Sequence, residues 1–204
     1  MPIRITPGTD SLTDFYRARS SWRNRGEEWS RLSRAARLAE VSKGSRVLDL
    51  GARDAGLLNF LPQFVQYQGI DIAPEFASAQ VMIRDLSMGI PFPDQSFDYV
   101  FCIEVLEHLP NPFETLSEIR RVLNRNGVLT LSVPNPYHLK ELIWNLLRIP
   151  DRQGHIYSWT RQAMTAIGEM NGFRLVATKG TYFHPPIPAP ALLARSIIYR
   201  FVRT

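Results

Sequence analysis

The 204-residue sequence has a single cysteine, Cys102. That excludes an internal disulfide framework and a zinc site built on several thiolates, and it fits a reducing compartment. Cys102 sits inside an apolar run and reads as a buried packing residue rather than a nucleophile. Lysine is scarce too. Three lysines stand against 21 arginines, so the formal net charge of +5 rests almost wholly on arginine. Arginine-rich codon usage accounts for that bias more simply than a nucleic-acid surface does. Long apolar runs are also missing. No stretch approaches the roughly 18–20 residues that span a bilayer, and the best candidate, Ala189–Val202, is broken by Arg195 and Arg200. The first ten residues contain Pro2, Pro7 and Gly8 and no apolar stretch of a secretory signal. The expectation is a cytoplasmic protein, with a peripheral membrane contact through the tail left open.

What is present is a globular composition. Hydrophobic residues are 45% and charged residues 21%, which excludes a disordered, collagenous or coiled-coil chain and suits one domain with decorated ends. The charge is uneven: residues 1–40 carry +3, residues 41–140 carry −3 and residues 141–204 carry +5.

Ser11–Glu40 has helical spacing, with a break expected at Gly26 and with Arg31, Arg34 and Arg37 on a solvated side. Strand and helix patterns then alternate. Strands are expected at Arg46–Leu50, within Val65–Ile72, and at Gln80–Arg84, Phe97–Ile103, Gly127–Val133 and Phe173–Thr178. Helical pieces are expected at Ala55–Leu61, Asn111–Leu123, Leu139–Leu147 and Thr160–Met170, with Thr160 as a cap. Asn126-Gly127 reads as the turn that closes the helix before it. For Ala191–Thr204 a docked helix and a last strand fit equally well. The alternation predicts an α/β fold: a Rossmann-like, doubly wound, mostly parallel sheet of six or seven strands with helices on both faces. Ligands of such sheets sit at the carboxyl ends of the strands, where the strand order reverses.

Those ends carry chemistry. The loop after the first strand, Asp49–Gly56, has small residues at 51, 52, 55 and 56, so a ligand can approach its backbone. It is neither G-x-G-x-x-G, which argues against a nicotinamide dehydrogenase, nor a P-loop. Asp49 and Asp54 would repel a phosphate and welcome a cationic or hydroxyl-bearing ligand. Asp71 ends the second strand about 20 residues further on, where a carboxylate can accept from two ribose hydroxyls. Asp85, after the third, can accept from an adenine amino group. Either carboxylate alone reads better as a helix N-cap; the set spaced this way points to a nucleoside site.

Val47-Leu48-Asp49-Leu50-Gly51, Gly69-Ile70-Asp71, Arg84-Asp85-Leu86, Pro91–Asp98, Glu104-Val105-Leu106-Glu107-His108-Leu109 and Leu123–Gly127, in that order, resemble a class I S-adenosylmethionine-dependent methyltransferase. The group they resemble includes the ubiquinone- and menaquinone-pathway enzymes, and the resemblance covers roughly residues 40–178. It implies S-adenosylmethionine as cofactor. Asp49, Gly51, Ala52 and Arg53 would lie along its methionine part, Asp71 and Ile72 at the ribose, Asp85 and Leu86 at the adenine, and Ile103 and Glu104 near the sulfonium, with His108 of the same segment lining either the cofactor or the acceptor pocket. It also implies that residues 1–40 form a helical lid, with Tyr16 and Trp22 on the acceptor side, whereas Trp29 reads as packing on the sheet. Residues 134–159 would cover the acceptor, with Tyr137, Tyr157 and Trp159 on that side. Residues 41–180 would be the cofactor domain, and 181–204 a proline-rich turn and basic apolar tail packed on it.

Chemistry at a high-pKa oxygen needs a base, and His108 and His155 are the candidates. His138 and His184 read as loop hydrogen-bonding groups. Glu104-x-x-Glu107-His108 lacks the first histidine of an H-x-x-E-H motif, so no metal is expected. The pattern departs from the family at Arg53 and Ala55, where glycine is usual. Ala55 is tolerable if its φ is negative, and Arg53 must point outward or reach a carboxylate such as Asp54. The function expected is methylation of a small or lipid-linked acceptor at oxygen or carbon. The alternatives are a cofactor-binding but inactive partner protein and, less favoured, an RNA methyltransferase. The sequence argues against nucleic acid, having no base-methylation motif, and leaves a homodimer open. Positive charge on the lid and tail hints at an acidic or membrane-surface acceptor.

Overall fold

The computed structural model describes residues 25–149, 154–182 and 193–204. Tyr16, Trp22, His184 and most of the expected lid and proline-rich turn lie outside them. Among these residues seven strands form one sheet: β1 (Arg46–Leu50), β2 (Gln66–Asp71), β3 (Val81–Ile83), β4 (Phe97–Ile103), β5 (Leu123–Pro134), β6 (Phe173–Gly180) and β7 (Ser196–Arg203). Their order is β3-β2-β1-β4-β5-β7-β6. The first five are parallel, and β7 lies antiparallel between β5 and β6. The chain runs outward from β1 to β3 and returns to β4, so the order reverses between β1 and β4.

Alternation along the central strands sends neighbouring side chains to opposite faces. Leu48, Leu50, Val100 and Cys102 point into a core closed by α2 (Pro112–Val122) and α4 (Arg161–Met170). Val47, Phe101 and Ile198 point the other way, against α1 (Arg25–Ala39). Buried on both faces, β1 and β4 need nearly continuous apolar residues, which is why they were readable as runs. The helix α1 presents Leu32, Ala35, Ala36 and Ala39, all buried. Three alanines on that stripe let its backbone approach β5, β4 and β7 closely. Thr160 caps α4, its hydroxyl accepting from the Ala163 N–H at 3.1 Å.

Three expectations are corrected. The strand β5 starts at Leu123, directly after α2, because Leu123 is buried and pairs with Phe97. Asn126-Gly127 is therefore an irregularity within the strand, with Asn126 at φ 61°, and not the end of the helix. Gly26 lies in the first turn of α1, and the residues on the other side of the expected break lie outside the described ones. Arg31 does not face solvent; its side chain is only 19% exposed. Trp29 packs edge-on to Phe60 and remains 48% exposed, so it does not seat the helix on the sheet. The tail supplies a strand, β7, whose first four residues are all buried.

One packing contact gives a sharp stability test. A Cβ on Gly168 of α4 would lie 2.6 Å from Cε1 of Phe201, a fully buried ring. Gly→Ala inside a helix normally gains about 1 kcal/mol, whereas overpacking a core costs about 1–3 kcal/mol. Because the Phe201 ring is held by Tyr199 and Phe173, overpacking should win. Urea unfolding of Gly168→Ala is expected to show a lower midpoint than wild type.

Candidate active site

The site grows from the ends of β1, β2 and β4. Asp49 is one residue from the end of β1 and is 3% exposed. It accepts a hydrogen bond from the Tyr67 hydroxyl at 2.7 Å. Burial pushes its carboxyl up to about 7, the Tyr67 bond opposes that shift, and the neighbouring Asp71 and Glu28 charges add to it. Gly51 follows at φ 73°, and a Cβ there would meet Cγ2 of Val105 at 2.3 Å. Only glycine relieves both constraints. The N–H groups of Gly51 and Ala52 donate to the Ile70 carbonyl at 2.8 and 3.0 Å, which holds the loop against β2.

Arg53 and Ala55 both adopt left-handed backbone, at φ 49° and 57°. The condition that would have made Ala55 innocuous is therefore not met. A left-handed L-residue costs roughly 1–2 kcal/mol, and such strain concentrates at functional sites. The Arg53 side chain does reach a carboxylate, that of Glu28, with Nε 3.7 Å from Oε1, and lies over the Phe76 ring at 5.5 Å. Asp71, at the end of β2, accepts from the Arg53 N–H and from the Ala73 N–H, both at 2.9 Å. Burial raises its pKa, and these two bonds partly offset the rise. Asp85 does cap a short 3-10 turn at Leu86–Met88, accepting from the Ser87 N–H at 2.8 Å. Glu104, just past β4, is also left-handed at φ 55°. Its carboxylate is fully engaged, by Ser132 at 2.7 Å, Ser196 at 3.0 Å and Arg31 at 3.2 Å.

These groups surround a cavity of about 270 Å³, at the small end of ligand pockets. Asp49, Gly51, Ala52, Arg53, Asp71, Ile72, Asp85, Leu86, Ile103, Glu104 and His108 all line it. Tyr137, Tyr157, Trp159 and His155 do not. Tyr137 is 47% exposed. Tyr157 donates to the Pro110 carbonyl at 3.0 Å and stacks on Trp159, which packs against the main core. Sequence reasoning missed Glu28, Arg31 and Leu32, which α1 contributes to the lining, and Phe76 beside Asp71. The helical spacing that placed Leu32 on the buried stripe could have flagged Glu28 at i−4. Arg31 carried no such signal.

A second cluster adjoins the cavity. His108 lies 4.9 Å from His155, ring to ring, and its Nε2 is 3.9 Å from the buried Glu107 carboxylate. Burial, and then the Glu104 charge, push the Glu107 carboxyl well up.

Comparison with known proteins decides the family. A methyltransferase-domain family matches residues 21–178. An uncharacterised protein of Methanocaldococcus jannaschii is 31% identical over 167 residues, covering 78% of this chain and 70% of that one. The chain belongs to the class I S-adenosylmethionine-dependent methyltransferases. A 2-methyl-6-phytyl-1,4-hydroquinone methyltransferase of Synechocystis is 26% identical over 64% of this chain. A ubiquinone biosynthesis O-methyltransferase of Xanthomonas oryzae is 35% identical over 45% of it. The matches span only 45% and 44% of those two enzymes' lengths. The fold of this methyltransferase matches a chain from the Haloferax volcanii complex of the Trm112 methyltransferase activator with a methyltransferase. There the TM-score is 0.73 at 19% identity, covering 94% of this chain and 96% of that one. It also matches a Burkholderia thailandensis N-methyltransferase solved with its substrate and S-adenosylhomocysteine, with TM-score 0.69 at 17% identity, covering 95% and 87%.

The cavity suits the cofactor of the family. Asp49 and Asp71 line it and offer carboxylates to a ligand carrying ribose hydroxyls and positive charge. Among the described residues, no helix is long and apolar enough to cross a membrane.

Proposed function

We propose that this methyltransferase acts on a hydroxyl oxygen or a carbon of a small or lipid-linked acceptor, with the cofactor lying along the β1, β2 and β4 ends. Asp71 holds the two ribose hydroxyls, Asp85 and Leu86 hold the adenine, and the 49–53 loop holds the methionine part. Bound S-adenosylmethionine supplies an electrophilic methyl on a good leaving group. The chain's share is to align the acceptor in line with that methyl and to exclude water. The observation that carries the acceptor class is α3 (Leu139–Leu146), which follows β5 at the same end of the sheet and buries none of its residues. Leu139, Leu142, Ile143 and Leu146 are all exposed, an apolar surface that suits an acceptor with a hydrocarbon part. Two relatives named for quinone-pathway substrates support the same reading. Incubation with methyl-labelled cofactor should put label into organic-extractable prenylated hydroquinones or catechols. Label appearing only in added RNA would sink this assignment.

Asp49 sets a pH dependence. Its native pKa of about 7 lies above the ordinary 3.8. The folded, ligand-free protein therefore takes up a proton that the unfolded chain takes up only in stronger acid. That contribution to stability is complete below pH 3.8 and is lost as pH rises through 7. Above pH 7 the buried carboxylate welcomes positive charge, so cofactor affinity should rise from pH 6 to pH 8. Asp49→Asn should flatten that rise. It should also stabilise the ligand-free protein at pH 8 by about 2–4 kcal/mol of relieved burial, read as a higher melting temperature, and leave it nearly unchanged at pH 4.5.

A further inference from the structure

We propose that Glu107, His108 and His155 bind one divalent transition-metal ion beside the cavity, where the ion takes the acceptor hydroxyl and lowers its pKa. The chemistry rests on the methyltransferase reading above; the site rests on its own geometry. One ligand atom from each of the three residues lies within 4.8 Å of the others. Ligands at 2.0–2.2 Å from a common ion stand roughly 3–4 Å apart, so modest side-chain rotation closes the cluster around an ion.

The Glu107 side chain is the observation that asks for a cation. It is 0% exposed, and neither carboxylate oxygen accepts a hydrogen bond among the described residues. A buried carboxylate without partners is costly. The neighbouring cation, Arg31, is already paired with Glu104. The histidines are oriented to answer that need. His108 Nδ1 is 3.2 Å from the Gly154 carbonyl, which can only accept, so Nδ1 carries the hydrogen and Nε2 turns its lone pair toward Glu107. A backbone carbonyl on the far nitrogen is the usual support of a metal-binding imidazole. The two segments are also fastened to each other. The Ile156 and Tyr157 N–H groups both donate to the Glu107 carbonyl, at 2.9 and 3.2 Å. His155 is thereby held beside His108 although the two are far apart in sequence.

Two imidazoles and one carboxylate are a donor set for Zn²⁺, Fe²⁺ or Co²⁺ rather than Ca²⁺ or Mg²⁺, and three protein ligands leave a position open. His108 also lines the cavity, so that position faces the methyl donor's end of the site. An acceptor hydroxyl placed there would lose its proton to solvent at neutral pH. Its oxygen then forms the bond to the methyl carbon as the carbon–sulfur bond breaks, and the electron pair stays on sulfur. The products are the methyl ether and S-adenosylhomocysteine. This also recasts the two histidines: they act as ligands, and the ion does the work of the general base.

The test uses the full chain stripped with a chelator, titrated in parallel with Co²⁺ and with S-adenosylhomocysteine. One Co²⁺ per chain is expected, with visible absorption bands of a low-coordinate nitrogen–oxygen site. His155→Ala and Glu107→Gln should each weaken Co²⁺ binding by about 100-fold or more and still bind S-adenosylhomocysteine, which shows that they fold. Wild type that binds S-adenosylhomocysteine but takes up no Co²⁺ would overturn the metal site and leave the methyltransferase reading standing. Equal Co²⁺ affinity in wild type and both variants would also overturn it, by placing the ion elsewhere. Co²⁺ binding that follows the variants, with no S-adenosylhomocysteine binding to wild type, would keep the site and remove the reading on which its chemistry rests.

Discussion

Asp71→Ala is expected to weaken binding of S-adenosylhomocysteine by at least about 100-fold. On the proposed pose the carboxylate accepts from two ribose hydroxyls. Hydrogen bonds to a charged group contribute about 1.5–3 kcal/mol each, and two of them correspond to roughly 10²–10⁴ in affinity. The same carboxylate also fixes the loop, because it accepts from the N–H groups of Arg53 and Ala73. Alanine removes both functions. Asp71→Asn keeps an acceptor and should lose less. Calorimetric titration measures both variants, with thermal unfolding as the control for folding. A loss below tenfold for Asp71→Ala would confine Asp71 to a loop-holding role.

The second large effect is expected at Gly51. Valine there must adopt φ 73° and place its Cβ 2.3 Å from Cγ2 of Val105. The backbone cost is roughly 1–2 kcal/mol and the overpacking about 1–3 kcal/mol. For a chain of this size that corresponds to a fall of roughly 5–20 °C in melting temperature. Val105 also lines the cavity, so the side chain that displaces it deforms the cavity wall, and cofactor binding should fall sharply even at temperatures where the variant stays folded. Scanning calorimetry and a binding titration at low temperature separate the two effects. Full binding by Gly51→Val would mean that the cofactor does not pass over this glycine.

The parts of the fold that were legible are those whose residues answer to local forces. The runs RVLDL and FDYVFCI are strands β1 and β4 to the residue, because strands buried on both faces need nearly continuous apolar residues. Thr160 caps its helix because a hydroxyl at that position satisfies an N–H left open at the helix start. Local signals misled where a distant partner decided. Asn126-Gly127 looks like a helix-closing turn, but Leu123 is drawn into β5 by Phe97. The tail had no decisive period because β7 is buried between two strands and is apolar on both faces.

The convergence of the candidate cofactor residues on one cavity was legible for a related reason. Residues just past parallel strands gather at one end of the sheet whatever the side chains are, so Asp49, Asp71, Asp85 and Glu104 converge once the strand positions are right. Arg31 was not legible, since an arginine among several on a helix looks solvated until Glu104 is seen beneath it. The grouping of His155 with Glu107 and His108 was hidden as well. Backbone hydrogen bonds between two loops create it, and no spacing in the sequence encodes those bonds.

The most direct test of the central claim is a crystal structure of the chain with S-adenosylhomocysteine. The account predicts density along the ends of β1, β2 and β4, with the ribose hydroxyls on Asp71 and the homocysteine part over Gly51. Density for the ligand at any other place on the molecule, with this cavity left empty, would contradict it.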